Sequence, residues 1–579
     1  MAVNSVRKFF KLFSLTPLLL SASYILSIYF HNITELFLSA LFIPIIFVIL
    51  CSLIFTLMLS SFVKDKNKRT IFTFIFCVLF FSYGGVIDIL SKFRLENILY
   101  SLIVLTWLVL GLILTFTLKK NSNFFSKRSI LIATSALILP FLEIILSIYD
   151  LHYIFFPIWC LMLGGSFFIL KKSSRDLSSL NKYIFLFSIF IFLIPSTQII
   201  NYQLSERFLR QNATSPMLLP IVEKSEFKNG LPDIYYIVPD SFTSTESIKK
   251  YLNYNEDSFV TNLESRGFYV PLDATSNYPK TFLSITSTLN MEYLDYLSTH
   301  YNSSDMTVVV PLLDNNNVVK FLKKLGYKYY QVGSWYDFTD DSPLADQNYT
   351  VESNNSLGDV DLFVFAILRS TMIGPFVGYF IPTAIKTNTV NGVRDRILYQ
   401  FEVLPKIATM SGPKFVFVHI IAPHVPYVFD RQCEPIGNLV GKKLEDSANY
   451  LNQLICVSLK LENIVDEILV NSEKPPIILI QSDEGILFGK NEFEARRGWE
   501  NASDLVLQKK FPIFSAYYLP GVDKSTLYSS ITNVNSFRSI FNLYFSTDFP
   551  ILPDKNYIFS NLNNLYQFED VTARVKKVK

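Results

Sequence analysis

Charged side chains are scarce in this chain. Asp, Glu, Lys and Arg make up 17% of its 579 residues, and the formal net charge is only +3. No basic stretch carries the interleaved aromatics of a nucleic-acid groove, so nucleic acid is not an expected partner. Histidine is scarcer still, with five residues in all. Cysteine is equally rare, and Cys51, Cys77 and Cys160 fall in apolar stretches where they read as inert small hydrophobes. No small-residue cleavage site stands out after the first apolar run, which therefore reads as a membrane anchor rather than a cleaved signal peptide.

What the chain has in abundance is apolar residues. Half are hydrophobic and 15% are aromatic, with Phe, Ile and Leu dominating the first two hundred positions. A spanning helix needs about 20 mainly apolar residues. About seven stretches fit or nearly fit: 13–31, 37–61, 70–90, 98–118, 129–149, 154–170 and 183–200. Arg7, Lys8 and Lys11 precede the first. Lys64, Lys66, Lys68 and Arg69 follow the second, Lys119, Lys120, Lys127 and Arg128 the fourth, and Lys171, Lys172, Arg175 and Lys182 the sixth. The alternate loops are poor in Lys and Arg, so the positive-inside rule puts the N-terminus in the cytoplasm. An odd number of spans then puts the remainder outside. Glu143, just after Pro140, is an intramembrane carboxylate: a functional candidate by location, or a side chain that snorkels or bonds across helices.

The expected organisation is a transmembrane bundle at 1–200, a linker at 201–230 with a short interfacial helix at 200–211, and an extracytoplasmic α/β domain at 231–579. In the latter, apolar runs alternate with helical stretches such as 313–325 and 446–470. The runs are Asp233–Val238, Phe415–Ile421, Pro476–Ile480 and, more weakly, Tyr327–Val332. Runs apolar on both faces predict a mainly parallel sheet covered on both sides, and ligands of such sheets sit beyond the C-terminal strand ends. There the sequence sets Asp240, His419, His424, Asp483 and Glu484, a composition that suits a metal. Pro279 leads into a predicted helix at 281–290, with Thr281 at its N-terminus, either as an N-cap or as an activated hydroxyl beside a cation. Cys433 and Cys456 are the cysteines of this half, and in an oxidising compartment they read as a disulfide, with two buried thiols as the alternative.

Four motifs in order carry a family resemblance: Pro232–Asp240, Asn277–Thr281, His419–Tyr427 and Gln481–Gly485. Gly333–Trp335 and Asn535–Arg538 accompany them. Together they resemble the alkaline phosphatase/sulfatase superfamily, in the membrane-anchored branch that includes lipoteichoic acid synthases and phosphoethanolamine transferases. The resemblance covers about 232–560. It implies a sulfatase-like α/β fold and one divalent cation held by Asp240, Thr281, Asp483 and Glu484. It also implies a covalent phospho-intermediate on Thr281, with His419 and His424 holding the phosphate or protonating the leaving oxygen. The donor would be a phospholipid carrying phosphoethanolamine or phosphoglycerol, the acceptor a surface glycan or lipid, and the location the inner (cytoplasmic) membrane.

One departure from the family pattern stands out. Glu484 occupies the place of a histidine, and an oxygen-rich site suits Mg²⁺ or Mn²⁺ better than Zn²⁺. The extra carboxylate also repels an anionic substrate. Two further readings stay open: a sulfatase- or phosphodiesterase-type hydrolase, and a glycan- or partner-binding module that has lost its chemistry. Threonine at 281, rather than the Cys or Ser that matures to formylglycine, argues against a sulfatase.

Overall fold

The computed structural model describes residues 15–33, 38–92, 152–212, 215–221, 230–255, 257–299, 304–351, 363–364, 367–374, 376, 387–436, 447–486 and 498–576. The chain divides into two units, Met1–Asn201 with Asp359–Ile385, and Tyr202–Gly358 with Lys386–Lys579.

The described part of the first unit is helical. Its helices are α1 (Leu15–His31), α2 (Phe42–Ser60), α3 (Lys66–Lys92) and α4 (His152–Lys172), followed by α5 (Ser178–Asn212). Among the described residues three stretches are long and apolar enough to cross a membrane: Phe42–Ser60, Lys66–Ile87 and Ser178–Leu204. Leu15–His31 is a shorter apolar helix. The exposed side chains of α2 include Phe42, Ile46, Phe47, Leu50, Ile54 and Met58, an outward apolar surface that only lipid or another apolar partner suits. The expected spans 98–118 and 129–149, with Glu143 and the Lys119–Arg128 loop, lie outside the described residues. Residues 200–211, expected as a short interfacial helix, are helical as the C-terminal end of the 35-residue α5.

In the second unit a six-stranded sheet has the order β3-β2-β4-β1-β5-β6. Its strands are β1 (Ile234–Pro239), β2 (Lys328–Val332), β3 (Gln347–Tyr349), β4 (Lys414–Ile420), β5 (Ile477–Gln481) and β6 (Ser515–Tyr518). All pairings are parallel except β5 with β6. A small antiparallel pair, β7 (Tyr557–Phe559) and β8 (Phe568–Asp570), stands apart. Five helices cover the sheet: α6 (Thr281–Asn290), α7 (Asn317–Lys324), α8 (Thr387–Ala408), α9 (Ser447–Asn471) and α11 (Asn533–Phe545); the short α10 (Asp504–Lys510) precedes β6.

Strand β1 explains the two-sided cover. Successive side chains of a strand point to opposite faces. Tyr235 and Ile237 pack with Ile397 and Leu404 of α8 and Leu454 and Leu461 of α9. Ile234, Tyr236 and Val238 pack with Ile285 and Leu289 of α6, Phe321 of α7 and Phe537 of α11. Each of these β1 side chains is fully buried, and such burial is worth about 1.5–3 kcal/mol for an aliphatic side chain. That double burial is why β1, β4 and β5 read as continuous apolar runs.

The candidate metal centre

The parallel strands deliver their chemistry at one edge. Asp240 directly follows β1, His419 is the sixth residue of β4, paired in register with Val238, and Asp483 and Glu484 follow β5. His424 arrives on the loop after β4, where its backbone N–H donates to the Asp240 carbonyl at 3.2 Å. Two sets of side chains bring possible ligand atoms within 4.8 Å of one another: Asp240, His424 and Glu484, and Asp240, His419 and Asp483. Ligand oxygens at about 2.0–2.6 Å from an ion stand at most about 5 Å apart. The spacing is therefore that of a metal shell.

The unpaired atoms point the same way. His419 Nδ1 is 2.8 Å from the Thr339 hydroxyl, which leaves Nε2 facing Asp240 Oδ2 at 3.5 Å. His419 Nε2, Asp483 Oδ2 and Glu484 Oε2 are buried and have no hydrogen-bond partner. Orphaned buried polar atoms are costly, and three around shared neighbours call for a common partner. Burial first, and then the charges of Asp240 and Glu484, push the Asp483 carboxyl well above the usual range. Asp240 takes the opposite shift: burial raises it, but His424 and His419 override that and hold it at about 2. A divalent cation would offset the carboxylate repulsion that adds to burial at Asp483, so these residues fit a metal.

Thr281 is the first residue of α6, and the N-cap is Lys280, which makes no side-chain cap bond. The N-cap reading of Thr281 therefore fails. Its hydroxyl lies near the Asp483 carboxylate, whose ordinary pKa it lowers, and the side chain is partly exposed rather than sealed in apolar packing. Asp240, Asp483 and Glu484 thus lie together with His419 and His424, and Thr281 lies near Asp483. The expectation of an almost all-oxygen shell rested on Asp240, Thr281, Asp483 and Glu484; two imidazole nitrogens are also within reach, and a mixed N/O set admits Zn²⁺ as well as Mn²⁺ or Mg²⁺.

Several residues that the sequence did not single out build the site. Ser241 adopts φ 61°, a left-handed backbone uncommon outside glycine. Its N–H is thereby 3.3 Å from Asp483 Oδ1, and its hydroxyl donates to Asp240 Oδ1 at 2.9 Å. Tyr336 lies with its ring centroid 6.4 Å from that of His419. Its phenol is driven well above the usual value by burial and then by Asp240, Glu484 and Asp483. Lys510, at the end of α10, places Nζ 2.5 Å from Glu484 Oε1. Three carboxylates against this one ammonium leave two negative charges, the quantity a divalent cation balances.

Gly485 makes that pairing possible. Its N–H donates to the Lys510 carbonyl at 2.7 Å, and a Cβ there would come within 2.5 Å of the Pro512 carbonyl oxygen and 2.7 Å of the Lys509 and Lys510 oxygens. We expect Gly485→Ala to cost about 1–3 kcal/mol of stability through overpacking. It should also separate Glu484 from Lys510. Thermal denaturation and metal content of the purified variant check this, and a parent-like result in both would refute the close-approach argument.

The histidine loop is fastened from α9. Gln453 donates to the His424 carbonyl at 3.0 Å and accepts from the Val428 N–H at 2.6 Å. Cys433 and Cys456 are joined by a disulfide across 23 residues. Two expected landmarks turn out to be props: Ser334 bonds the Thr339 hydroxyl behind His419, and Arg538 donates to the Met291 and Pro550 carbonyls, bracing the end of α6.

A membrane-helix unit joined to an α/β unit, with a metal-type cluster at the C-terminal edge of a mainly parallel sheet, is the class these observations define. No protein-family model matches the chain, and no curated protein matches it significantly. Solved structures do. The C-terminal periplasmic domain of EptC from Escherichia coli, in complex with Zn, is 10% identical, with a TM-score of 0.41 over 61% of this chain and 96% of that one. The C-terminal periplasmic domain of the phosphoethanolamine transferase EptC from Campylobacter jejuni is 12% identical, with a TM-score of 0.33 over 58% and 94%. The soluble domain of lipooligosaccharide phosphoethanolamine transferase A from Neisseria meningitidis is 12% identical, with a TM-score of 0.33 over 54% and 87%.

Proposed function

We propose that this protein transfers a phospho-headgroup, phosphoethanolamine or phosphoglycerol, from a phospholipid to a surface glycan or lipid through a covalent intermediate on Thr281. The observation that supports it best is the Thr281 hydroxyl, set at the N-terminus of α6 and near Asp483 of the acidic–imidazole cluster. A helix N-terminus favours a phosphate there. Asp240, Asp483 and Glu484, with Thr281 and the two imidazoles, would hold one divalent cation. Such an ion, when bound, supplies Lewis-acid polarisation of the phosphoryl oxygens and lowers the pKa of an adjacent hydroxyl.

The chain's own groups account for the remainder. The Thr281 hydroxyl gives up its proton to the nearby Asp483 carboxylate as its oxygen attacks phosphorus, and takes it back when it is released. The phosphorus–oxygen bond to diacylglycerol breaks, and His424 or His419 protonates the departing oxygen. An acceptor hydroxyl then attacks the same phosphorus, releases Thr281 and loses its proton to the imidazole. Orientation of the α/β unit away from the cytoplasm, in the inner membrane of its cell, completes the reading, because basic loops flank the N-terminal spans on one side.

The experiment is direct. Purified protein in detergent, incubated with phosphatidylethanolamine or phosphatidylglycerol and a divalent metal, should carry the headgroup mass on the Thr281 peptide. Thr281→Ala should carry none. Turnover of the lipid with no adduct and no acceptor product would favour a hydrolase, and metal binding without any turnover would favour the binding module.

A further inference from the structure

The segment between β3 and α8 belongs to the helical unit, although the α/β unit flanks it on both sides. Residues 362–385 contain one charged side chain, Arg369, which is exposed. Such a run is as apolar as a spanning helix, but Gly374, Pro375, Gly378 and Pro382 interrupt it. Its described residues have specific partners. Phe363 is buried edge-on against Tyr29 of α1, at a ring separation of 6.4 Å. Phe376 meets Phe156 of α4 at 4.7 Å, and Met372 packs with Tyr83 and Ile87 of α3.

The main chain is engaged as well. The Gly84 N–H donates to the Ser370 carbonyl at 3.0 Å, and the Met372 N–H donates to the Phe80 carbonyl at 2.8 Å. Phe80 and Gly84 are the i−4 and i positions that a regular helix ladder joins to each other, so the segment plugs its backbone into α3. In an apolar setting such satisfaction of backbone groups is obligatory. Tyr24 of α1 adds a hydroxyl bond to Ser370 Oγ at 2.6 Å. Gly84 is required there, because a Cβ would collide with the Ser370 carbonyl; beside it, Gly85 has nothing within 4 Å of where its Cβ would be. Tyr24 and Phe80 lie near the middle of their helices, whereas Tyr29, Gly84, Ile87 and Phe156 fall toward the ends of α1, α3 and α4 that the basic-loop asymmetry puts outside.

We propose that the apolar insertion, through its described residues between Phe363 and Phe376, is a second membrane attachment of the chain, docked on α1, α3 and α4 of its own bundle. The α/β unit is thus tied down at two points of its sequence, by α5 and by this insertion.

A protease site placed in 222–229 of the full-length protein tests it. After cleavage in native membranes and a high-salt wash, the fragment carrying 230–579 should sediment with the membranes. Gly84→Leu should move most of it to the supernatant, whereas Gly85→Leu should leave it bound. Release on cleavage alone overturns the proposal. Equal retention in the two leucine variants overturns docking on the helices and points to direct insertion into lipid. Should Gly84→Leu protein not accumulate, a Tyr24→Cys/Ser370→Cys pair gives a second measurement. Oxidation should link the two cleaved fragments on a non-reducing gel, and failure to link them refutes the contact.

Discussion

Bound metal should fall from near-stoichiometric to undetectable when Asp240 is replaced by Asn. Asp240 is the one side chain common to both sets of clustered ligand atoms, so its loss breaks both. Asn keeps the shape and removes the charge. Loss of an outer partner of a metal ligand alone weakens binding about 10–100-fold, and loss of a shared carboxylate should exceed that range. Elemental analysis of the full-length protein in detergent, after dialysis against a weak chelator, reads the effect directly. In strong chelator the parent and Asp240→Asn should melt alike, which separates a lost ligand from a damaged fold. Parent-level metal in the variant would remove Asp240 from the shell and, with it, the reason for the convergence of five ionisable side chains.

Lys510→Met should destabilise the protein by about 3–5 kcal/mol, the usual cost of leaving one member of a buried ion pair alone. The side chains of Lys510 and Glu484 are 9% and 7% exposed, so solvent screens the pair little. The double variant Glu484→Gln/Lys510→Met should recover most of the loss, because removing both charges of a buried pair is often nearly neutral. A double-mutant cycle by chemical denaturation gives the coupling. Saturating divalent metal should also narrow the deficit of Lys510→Met, since a cation on Glu484 Oε2 supplies part of the missing positive charge. A deficit below about 1 kcal/mol, or one indifferent to metal, would show that Lys510 is a bystander.

This pair also recasts the departure at position 484. A glutamate in place of histidine looked like excess negative charge facing an anionic substrate. Fixing one oxygen with an ammonium leaves a single oxygen available and cancels the added charge. Glu484 and Lys510 together therefore present roughly what a neutral imidazole would: one donor atom and no net charge.

Much of the fold was legible because its strands are buried on both faces. β1, β2, β4 and β5 fall within a residue or two of the apolar runs that announced them, and α6 and α9 likewise. β3 was not legible: Gln347 and Asn348 are exposed edge residues with no apolar signal. β6 is four residues long and antiparallel, with nothing to separate it from a turn. The acids and histidines of the site were readable, since scarce residue types recurred where parallel strands end. Lys510 was not, because a lysine at the end of a short helix normally lies in water, and only the close approach at Gly485 buries it. Tyr336 gave no sign among the chain's many tyrosines. The apolar run at 362–385 was in plain view, but its prolines and its place inside an α/β domain hid its membrane character.

The strap between Cys433 and Cys456 ties the time of assembly to the place of assembly. Gln453 and the disulfide both hold the His424 loop from α9, yet only the disulfide needs an oxidant. With the α/β unit facing away from the cytoplasm, as proposed, a chain still on the reducing side of the membrane would keep two thiols there, and Gln453 alone would fasten the loop until export. The histidine loop of the proposed ligand shell would then take its final fastening only after translocation, where a half-made site has little chance to sequester ions from the cell interior.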